Sequence, residues 1–249
     1  MTLILRAAAA TDLGLVRGNN EDAAFAGRRL VVVADGIGGL PAGELASDAV
    51  MRALAGLEDG PAEQPLPALR AAIEAANREI AEAGRIDPVR DGMGTTVTAL
   101  LLSSPGEAGP ELVLLHIGDS RAYLLRDAEL QRLTRDDTFV QELVDQGVLS
   151  ADEVRHHPLR SVVTRAVQGR PLDPSLTVLT PRPGDRYLLC SDGLSDVVGD
   201  DALARAMTVH SEPDRCAKEL VALALAAGGP DNITAVVADV TTAPDLAPV

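Results

Sequence analysis

Apolar residues recur along this chain with two different periods. Residues 43–58 set Ala46, Val50, Ala53, Leu54 and Leu57 on one face of a helix, and residues 66–83 repeat the spacing with Leu69, Ile73, Ala76 and Ile80. The stretch between them, EDGPAEQPLP, carries the turn residues of a surface loop. From about 92 to 133 the texture becomes β: TTVTALLLSS and ELVLLHIG flank the turn PGEAGP, and SRAYLLRDAELQRLT predicts a hairpin about Arg126, Asp127 and Ala128. SLTVLTPRPGDRYLLCSDG predicts two more strands around Pro183 and Gly184, followed by helices at 200–209 and 213–227 and a last strand, ITAVVADV. At the other end, MTLILRAAAATDLG reads as a first strand. Arg6 interrupts its apolar run and no basic segment leads it, so the pattern is not that of a secretory signal.

Residues 134–171 break this texture. DDTFVQELVDQG predicts one short helix, and SADEVRHHP a second with a capping box from Ser150 to Glu153. The segment is polar and irregular between two β-rich blocks, so it is expected to be a flap over the surface. Strands in succession with short turns imply antiparallel pairing, not the alternation of a doubly wound sheet, and hence an α+β fold. With no internal repeat and no long linker, residues 1–240 are expected to form a single domain, with 241–249 as a disordered tail.

Composition narrows the partners. The chain has 249 residues, 46% hydrophobic and 24% charged, which suits a globular domain with a sizeable core. Only 2% are aromatic and there is no Trp, leaving little to stack on bases. Lys and Arg number 22 against 37 Asp and Glu, a net charge of −15, the wrong sign for a phosphate-backbone binder. No apolar run approaches the ~20 residues of a membrane span. Cys190 and Cys216 lack metal or redox spacing. A cytoplasmic, monomeric protein without nucleic-acid or membrane partners is the expectation.

The candidate chemistry lies where apolar strands end. LVVVADGIGG finishes on Asp35 among glycines, HIGDS puts Asp119 after LVLLHI, YLLCSDG puts Asp192 after another strand, and GGPDN puts Asp231 just before one. A single Asp-Gly is an ordinary turn. Four carboxylates at strand mouths are a different matter, because if they converge their repulsion forces some to hold protons near neutrality. A divalent cation removes the conflict. With oxygen donors and no Cys or His cluster, the ion would be Mg²⁺ or Mn²⁺. Glycine beside each Asp lets the backbone approach, and leaves the Gly36 carbonyl free to act as a donor. Asp192 and Asp196 share a side if SDGLSD turns helically, which suggests a further ion held with Asp119.

VRGNNED, VADGIGG, GMGTTV, HIGDSRAYL, YLLCSDGLSD and GGPDNITAVV, in this order and spacing, resemble the metal-dependent protein phosphatases of the type-2C (PPM) family over residues 11 to 240. The resemblance implies an αββα sandwich of two mainly antiparallel sheets flanked by helix pairs. It also implies two Mn²⁺ or Mg²⁺ ions bridged by Asp35 and a water, one ion touching the Gly36 carbonyl. Asp192 and Asp231 would hold the other ion, and Glu21 and Asp22 would act directly or through waters. Two cations roughly 3.5–4 Å apart would acidify the bridging water and aim it in line at phosphorus. Arg17 would clamp the phosphoryl oxygens, and with Asp35, Asp192 and Asp231 make up the catalytic set. A weaker third ion would sit on Asp119, Asp192 and Asp196, with Ser161 as a further ligand, and the flap at 134–171 would select substrate.

The chain also departs from the family pattern. Ile37 stands where many eukaryotic members carry a His that protonates the leaving group, and Ser195 and Gln168 differ from the residues usual at their places. His156 and His157 fall in the flap, and His116 in a strand. The activity implied is hydrolysis of phosphoserine and phosphothreonine in proteins, opposing a bacterial Ser/Thr kinase and its targets. Two other readings compete with it. A non-hydrolysing phosphoprotein-binding module would lack some of the metal carboxylates, whereas Asp35, Asp192 and Asp231 are all present. Covalent catalysis by Asp35 would want a second Asp at position 37, which is Ile.

Overall fold

A computed structural model describes residues 2–37, 42–60, 64–103, 109–154 and 157–243, with the backbone alone for 151 and 152. Gly38, Gly39, residues 104–108 of one turn, His156 and the tail from 244 lie outside the described residues.

Ten strands form two five-stranded sheets in which every neighbouring pair is antiparallel. In the first, β1 (Leu3–Asp12) pairs with β10 (Ile233–Thr242), then come β9 (Arg186–Cys190), β6 (Arg121–Arg126) and β7 (Glu129–Arg132). The second runs β2 (Asp22–Ala26), β3 (Leu30–Asp35), β4 (Val97–Leu102), β5 (Leu112–Ile117) and β8 (Ser175–Leu179). An antiparallel sheet with one wet face alternates apolar and polar residues, yet β4, β5 and β9 are buried along their whole length.

The reason is that both faces of each sheet are covered. Val31, Val33, Leu100, Leu102, Tyr187, Leu189 and Val236 fill the space between the sheets. Their neighbours Leu30, Val32, Ala99 and Leu101 pack outward against α1 (Gly43–Ala55) and α2 (Pro65–Ile86). On the far side Leu188, Cys190, Ala235 and Val237 meet α6 (Asp200–Val209) and α7 (Pro213–Ala226). The period-2 alternation of strands therefore sorts residues between two cores instead of between core and water. The result is four layers, helix–sheet–sheet–helix, as the α+β sandwich reading expects.

The helices lie where the 3.6-residue period places them, with Leu69, Ile73, Ala76 and Ile80 all buried on α2. The hairpin turns at Asp127 and Ala128, whose φ values of 54° and 64° suit a two-residue turn between right-twisted strands. Two features differ from the sequence pattern. β2, DAAFA, is a short Ala-rich edge strand with too little apolar signal to stand out. The strands on either side of Pro183 and Gly184 are not paired: β8 joins one sheet and β9 the other, so the segment crosses the sandwich.

Within residues 134–171 stand α3 (Phe139–Asp145) and α4 (Ala151–Val154). Of the capping box, the Ser150 N–H and hydroxyl both donate to Glu153 Oε2, at 2.8 and 2.7 Å. Isolated bridges tie this segment down at Thr138–Val163 and Thr95–Val167. No helix among the described residues is long and apolar enough to cross a membrane.

Candidate active site

β3 and β9 end, and β10 begins, at the same end of the sandwich, and there the chain's acidic turns gather around a cavity of about 110 Å³. That is several times the ~10–15 Å³ one water requires. Arg17 and Glu21 reach it from the loop between β1 and β2, Asp35 and Gly36 from the end of β3, Asp119 from the β5–β6 turn, and Asp192 and Asp231 from the ends of β9 and β10. Ser161 and Val163 of the flap form part of its wall, as does Ile37.

The remaining predicted residues stand beside this cavity. Asp196 lines a smaller adjoining one, about 60 Å³, together with Asp119, Asp192, Arg121 and Ser195. It follows Asp192 by one turn of α5 (Asp192–Ser195), whose first residue accepts the Asp196 N–H at 2.8 Å. Asp22 sits behind Asp35 as its direct cross-strand partner. His157 accepts the Leu159 N–H on its own Nδ1 and does not line the cleft, and His116, on β5, sets its ring against Thr98 of β4. Cys190 and Cys216 are buried free thiols.

The backbone explains why acids can stand so close. A Cβ on Gly36 would fall 2.6 Å from the Gly43 carbonyl carbon and 2.8 Å from Glu21 Cβ, so only glycine lets α1 and the Glu21 loop close on Asp35. At Gly193 a Cβ would fall 2.0 Å from the Asn232 carbonyl oxygen, which fixes the approach of α5 to the Asp231 turn. Thr95 Oγ1 and the Thr96 N–H both donate to the Asp35 carbonyl at 2.8 Å, holding the end of β3.

Burial and crowding then raise the carboxyl groups. Asp22 is pushed up to about 6, chiefly by burial, against the hydrogen bonds it accepts. Asp119 is pushed up to about 7 by burial, then by the charges of Asp136 and Asp196. Asp35 and Asp192 lie well above the ordinary carboxylate range, from burial first and then from the acids around them. Glu21 and Asp196 are also raised, burial leading in both; Arg121 and Arg160 pull Asp196 back.

One cation of the chain enters this field directly. Arg17 donates to Asp231 Oδ2 at 2.7 Å, across 214 residues of sequence. Among the described residues no three His, Cys, Asp or Glu side chains already stand as a shell that could hold a metal ion. The acids line one cleft without converging on a single point, and Asp231 pairs with Arg17. The donor set nonetheless suits a hard cation. Every charged donor is an oxygen, and Asp22 Oδ1 is buried with no hydrogen-bond partner while Oδ2 accepts from Ser191 Oγ at 2.8 Å.

Two functional side chains escaped the reading of the sequence. Ser191 Oγ, besides holding Asp22, accepts the Thr234 N–H at 2.9 Å. Asn232 takes the Glu21 N–H on Oδ1 and donates from Nδ2 to the Leu13 and Asn19 carbonyls, each at 2.9 Å, so one amide fixes the whole Arg17–Glu21 loop. Both sit next to a strand-end Asp, in YLLCSDG and GGPDN; a polar side chain flanking a buried acid was the available signal.

Comparison with known proteins agrees with this arrangement. The protein phosphatase 2C family model matches residues 17–224. The serine/threonine protein phosphatase PstP of Mycobacterium tuberculosis is 52% identical over 241 residues, 96% of this chain and 46% of that protein, so the chain spans under half the length of this relative. The serine/threonine phosphatase stp of Listeria monocytogenes is 33% identical over 236 residues, 90% of this chain and 91% of that protein. Among solved structures, M. tuberculosis PstP/Ppp superposes with a TM-score of 0.90 at 50% identity, covering 96% of this chain and all of that one. A PstP catalytic domain in complex with two manganese ions gives 0.89 at 50% identity, over 97% of this chain and 100% of that one.

Proposed function

Because the chain belongs to the protein phosphatase 2C family, we propose that it removes phosphoryl groups from phosphoserine and phosphothreonine in proteins with the help of Mn²⁺ or Mg²⁺. The observation that carries this reading is the meeting of Asp35, Asp119, Asp192, Asp231 and Glu21, from five separate segments, around one cavity that also holds Arg17. Residues 1–240 would form one phosphatase domain, with 134–171 as a flap over the cleft. The partners would be phosphorylated proteins, among them a Ser/Thr kinase and its targets, met in the cytoplasm by a monomeric enzyme.

In this reading Asp35, the Gly36 carbonyl, Asp192 and Asp231 would hold two cations, with Glu21 and Asp22 supporting them; Asp119, Asp192 and Asp196 would hold a weaker third, with Ser161 nearby. When bound, the cations supply charge that offsets the phosphoryl oxygens and lowers the pKa of a water for attack on phosphorus. The chain's own groups do the rest. Ser191 holds Asp22 from behind, and the two threonines hold the Asp35 backbone. Arg17, which pairs with Asp231 in the structure, would turn its planar fork to the phosphoryl oxygens, exchanging one anion for another. Ile37 and Val163 line the cleft with apolar surface, restricting water. No histidine is among the described lining residues, so the leaving serine or threonine oxygen takes its proton from solvent or from a carboxyl group.

A phosphoserine peptide tests this. Hydrolysis should require Mn²⁺ or Mg²⁺, cease with EDTA, and fall by about three orders of magnitude in Asp192→Asn, a loss of about 4 kcal/mol. Turnover unaffected by chelation would refute it, and so would a fully active Asp192→Asn. Binding of the phosphopeptide with cations present but no hydrolysis would favour a non-hydrolysing module.

A further inference from the structure

At the root of the flap, against β5 and β8, lies a second cavity of about 250 Å³, larger than the catalytic one. Its walls come from three places. Thr134, Arg135 and Asp137 belong to the chain entering the flap, Arg165 to the chain leaving it, and His116, Ser175 and Thr177 to β5 and β8. His116, Thr134 and Asp137 are each more than nine-tenths buried and form its floor, while Arg135, Arg165, Ser175 and Thr177 stand at its open mouth.

The hydrogen-bond inventory of the walls is lopsided. The buried acceptors each have a partner. Asp137 Oδ1 takes Arg165 at 3.2 Å and Oδ2 takes the Gly118 N–H at 3.0 Å. His116 pairs Nδ1 with Thr98 Oγ1 and Nε2 with the Arg135 carbonyl. Thr134 Oγ1 accepts the Ala122 N–H at 3.1 Å, which leaves its own proton to give.

Donors remain. A guanidinium carries five N–H groups. Arg165 uses two of its nitrogens, on Asp137 and the Asp173 carbonyl, and Arg135 uses its three on Asp145 and the Asp136 carbonyl. Ser175 and Thr177, two apart on β8, present hydroxyls on one face of the strand. The formal charges balance, Arg165 against Asp137 and Arg135 against Asp145. The N–H and hydroxyl protons left over thus outnumber the unpartnered acceptors of the lining, and a ligand suits the chamber that mainly accepts hydrogen bonds.

We propose that this chamber is a binding site for a small oxyanion of the phosphate type, held by Arg165, Arg135 and the Thr134, Ser175 and Thr177 hydroxyls, and separate from the catalytic cleft. Charge-assisted hydrogen bonds from two guanidinium groups are the strong kind that such an ion needs. Its place couples it to the cleft. The Asp137 N–H donates to the Gly118 carbonyl at 2.7 Å and the Thr164 N–H to the Asp137 carbonyl at 2.8 Å. Asp137 thus joins both stems of the flap to the residue before Asp119.

The two sites are told apart by their need for cations. Inorganic phosphate is titrated calorimetrically into the full chain in EDTA, at an ionic strength held constant with chloride. The expected result is one site on the wild type. Its affinity should be unchanged in Arg17→Ala, weakened at least about tenfold in Arg165→Gln and about threefold in Thr177→Val, since one charged or one neutral hydrogen bond is lost. Thr177 is exposed on β8, so that variant reports on binding even if Arg165→Gln unfolds. No site in EDTA would overturn the proposal, as would equal affinity in wild type and both chamber variants, or a site abolished by Arg17→Ala. Failure of phosphopeptide hydrolysis would leave this result standing, because the titration needs neither cations nor turnover.

Discussion

Replacing an acid by its neutral amide should make the cation-free protein more stable, and Asp119→Asn is the place to see it. Asp119 is 7% exposed and its carboxyl group is raised from 3.8 to about 7. Each pKa unit is worth about 1.4 kcal/mol, so ionising it in the folded state costs up to about 4 kcal/mol. Relaxation around the amide leaves about 2–4 kcal/mol to be recovered. The sign follows from proton counts. Between about pH 4 and 7 the folded chain binds the proton that the unfolded chain has released, so this group's contribution to stability falls as pH rises through that window. Below pH 4 both states hold the proton and the amide confers nothing.

In EDTA at pH 8 the variant should therefore melt at least about 4 °C above the wild type, at about 2–4 °C per kcal/mol for a chain of this size. Near pH 4 the two should melt together. Excess Mn²⁺ should narrow the gap, because a cation at 100 times its Kd adds about 2.7 kcal/mol to a protein that can bind it, and the variant lacks one of the third ion's ligands. Thermal melts of both proteins across pH, with and without Mn²⁺, make the measurement. A variant no more stable than wild type at pH 8 in EDTA would mean that the carboxylates of this cleft do not oppose one another, and the case for cations would lose its physical basis.

Two further substitutions test the supports of the cleft. Arg17→Ala should raise KM for a phosphoserine peptide by about tenfold or more, the loss of one charged hydrogen bond of about 1.5–3 kcal/mol; steady-state kinetics giving an unchanged KM would leave Arg17 only its pairing with Asp231. Asn232→Ala removes three hydrogen bonds and strands the Glu21 N–H, so denaturant titration should show a loss of about 2–4 kcal/mol. A loss below about 0.5 kcal/mol would mean the loop is held by other contacts.

Much of the architecture was legible along the chain because it depends on near neighbours. Apolar spacing of three and four residues marks α1, α2, α6 and α7, since each helix buries a stripe of its own residues. The apolar stretches LVVVA of β3, ALLL of β4 and YLLC of β9 mark core strands, and the strand-end aspartates announce a cost that some partner must offset. Those signals hold whatever the rest of the chain does.

Pairings between distant segments were decided elsewhere. Nothing local separates β8 and β9 into different sheets; that follows from which edge each finds free once the sandwich closes. β2 exists because β3 offers its backbone groups, not because DAAFA prefers to be extended. Asp22 faces Asp35, Arg17 finds Asp231 and Asn232 grips Glu21 through contacts spanning up to 214 residues. Residue order thus determined which groups carry charge and which segments bury apolar surface. Which charges meet, and at what distance, came only from closing the two sheets on each other, because electrostatic energy depends on separation in space.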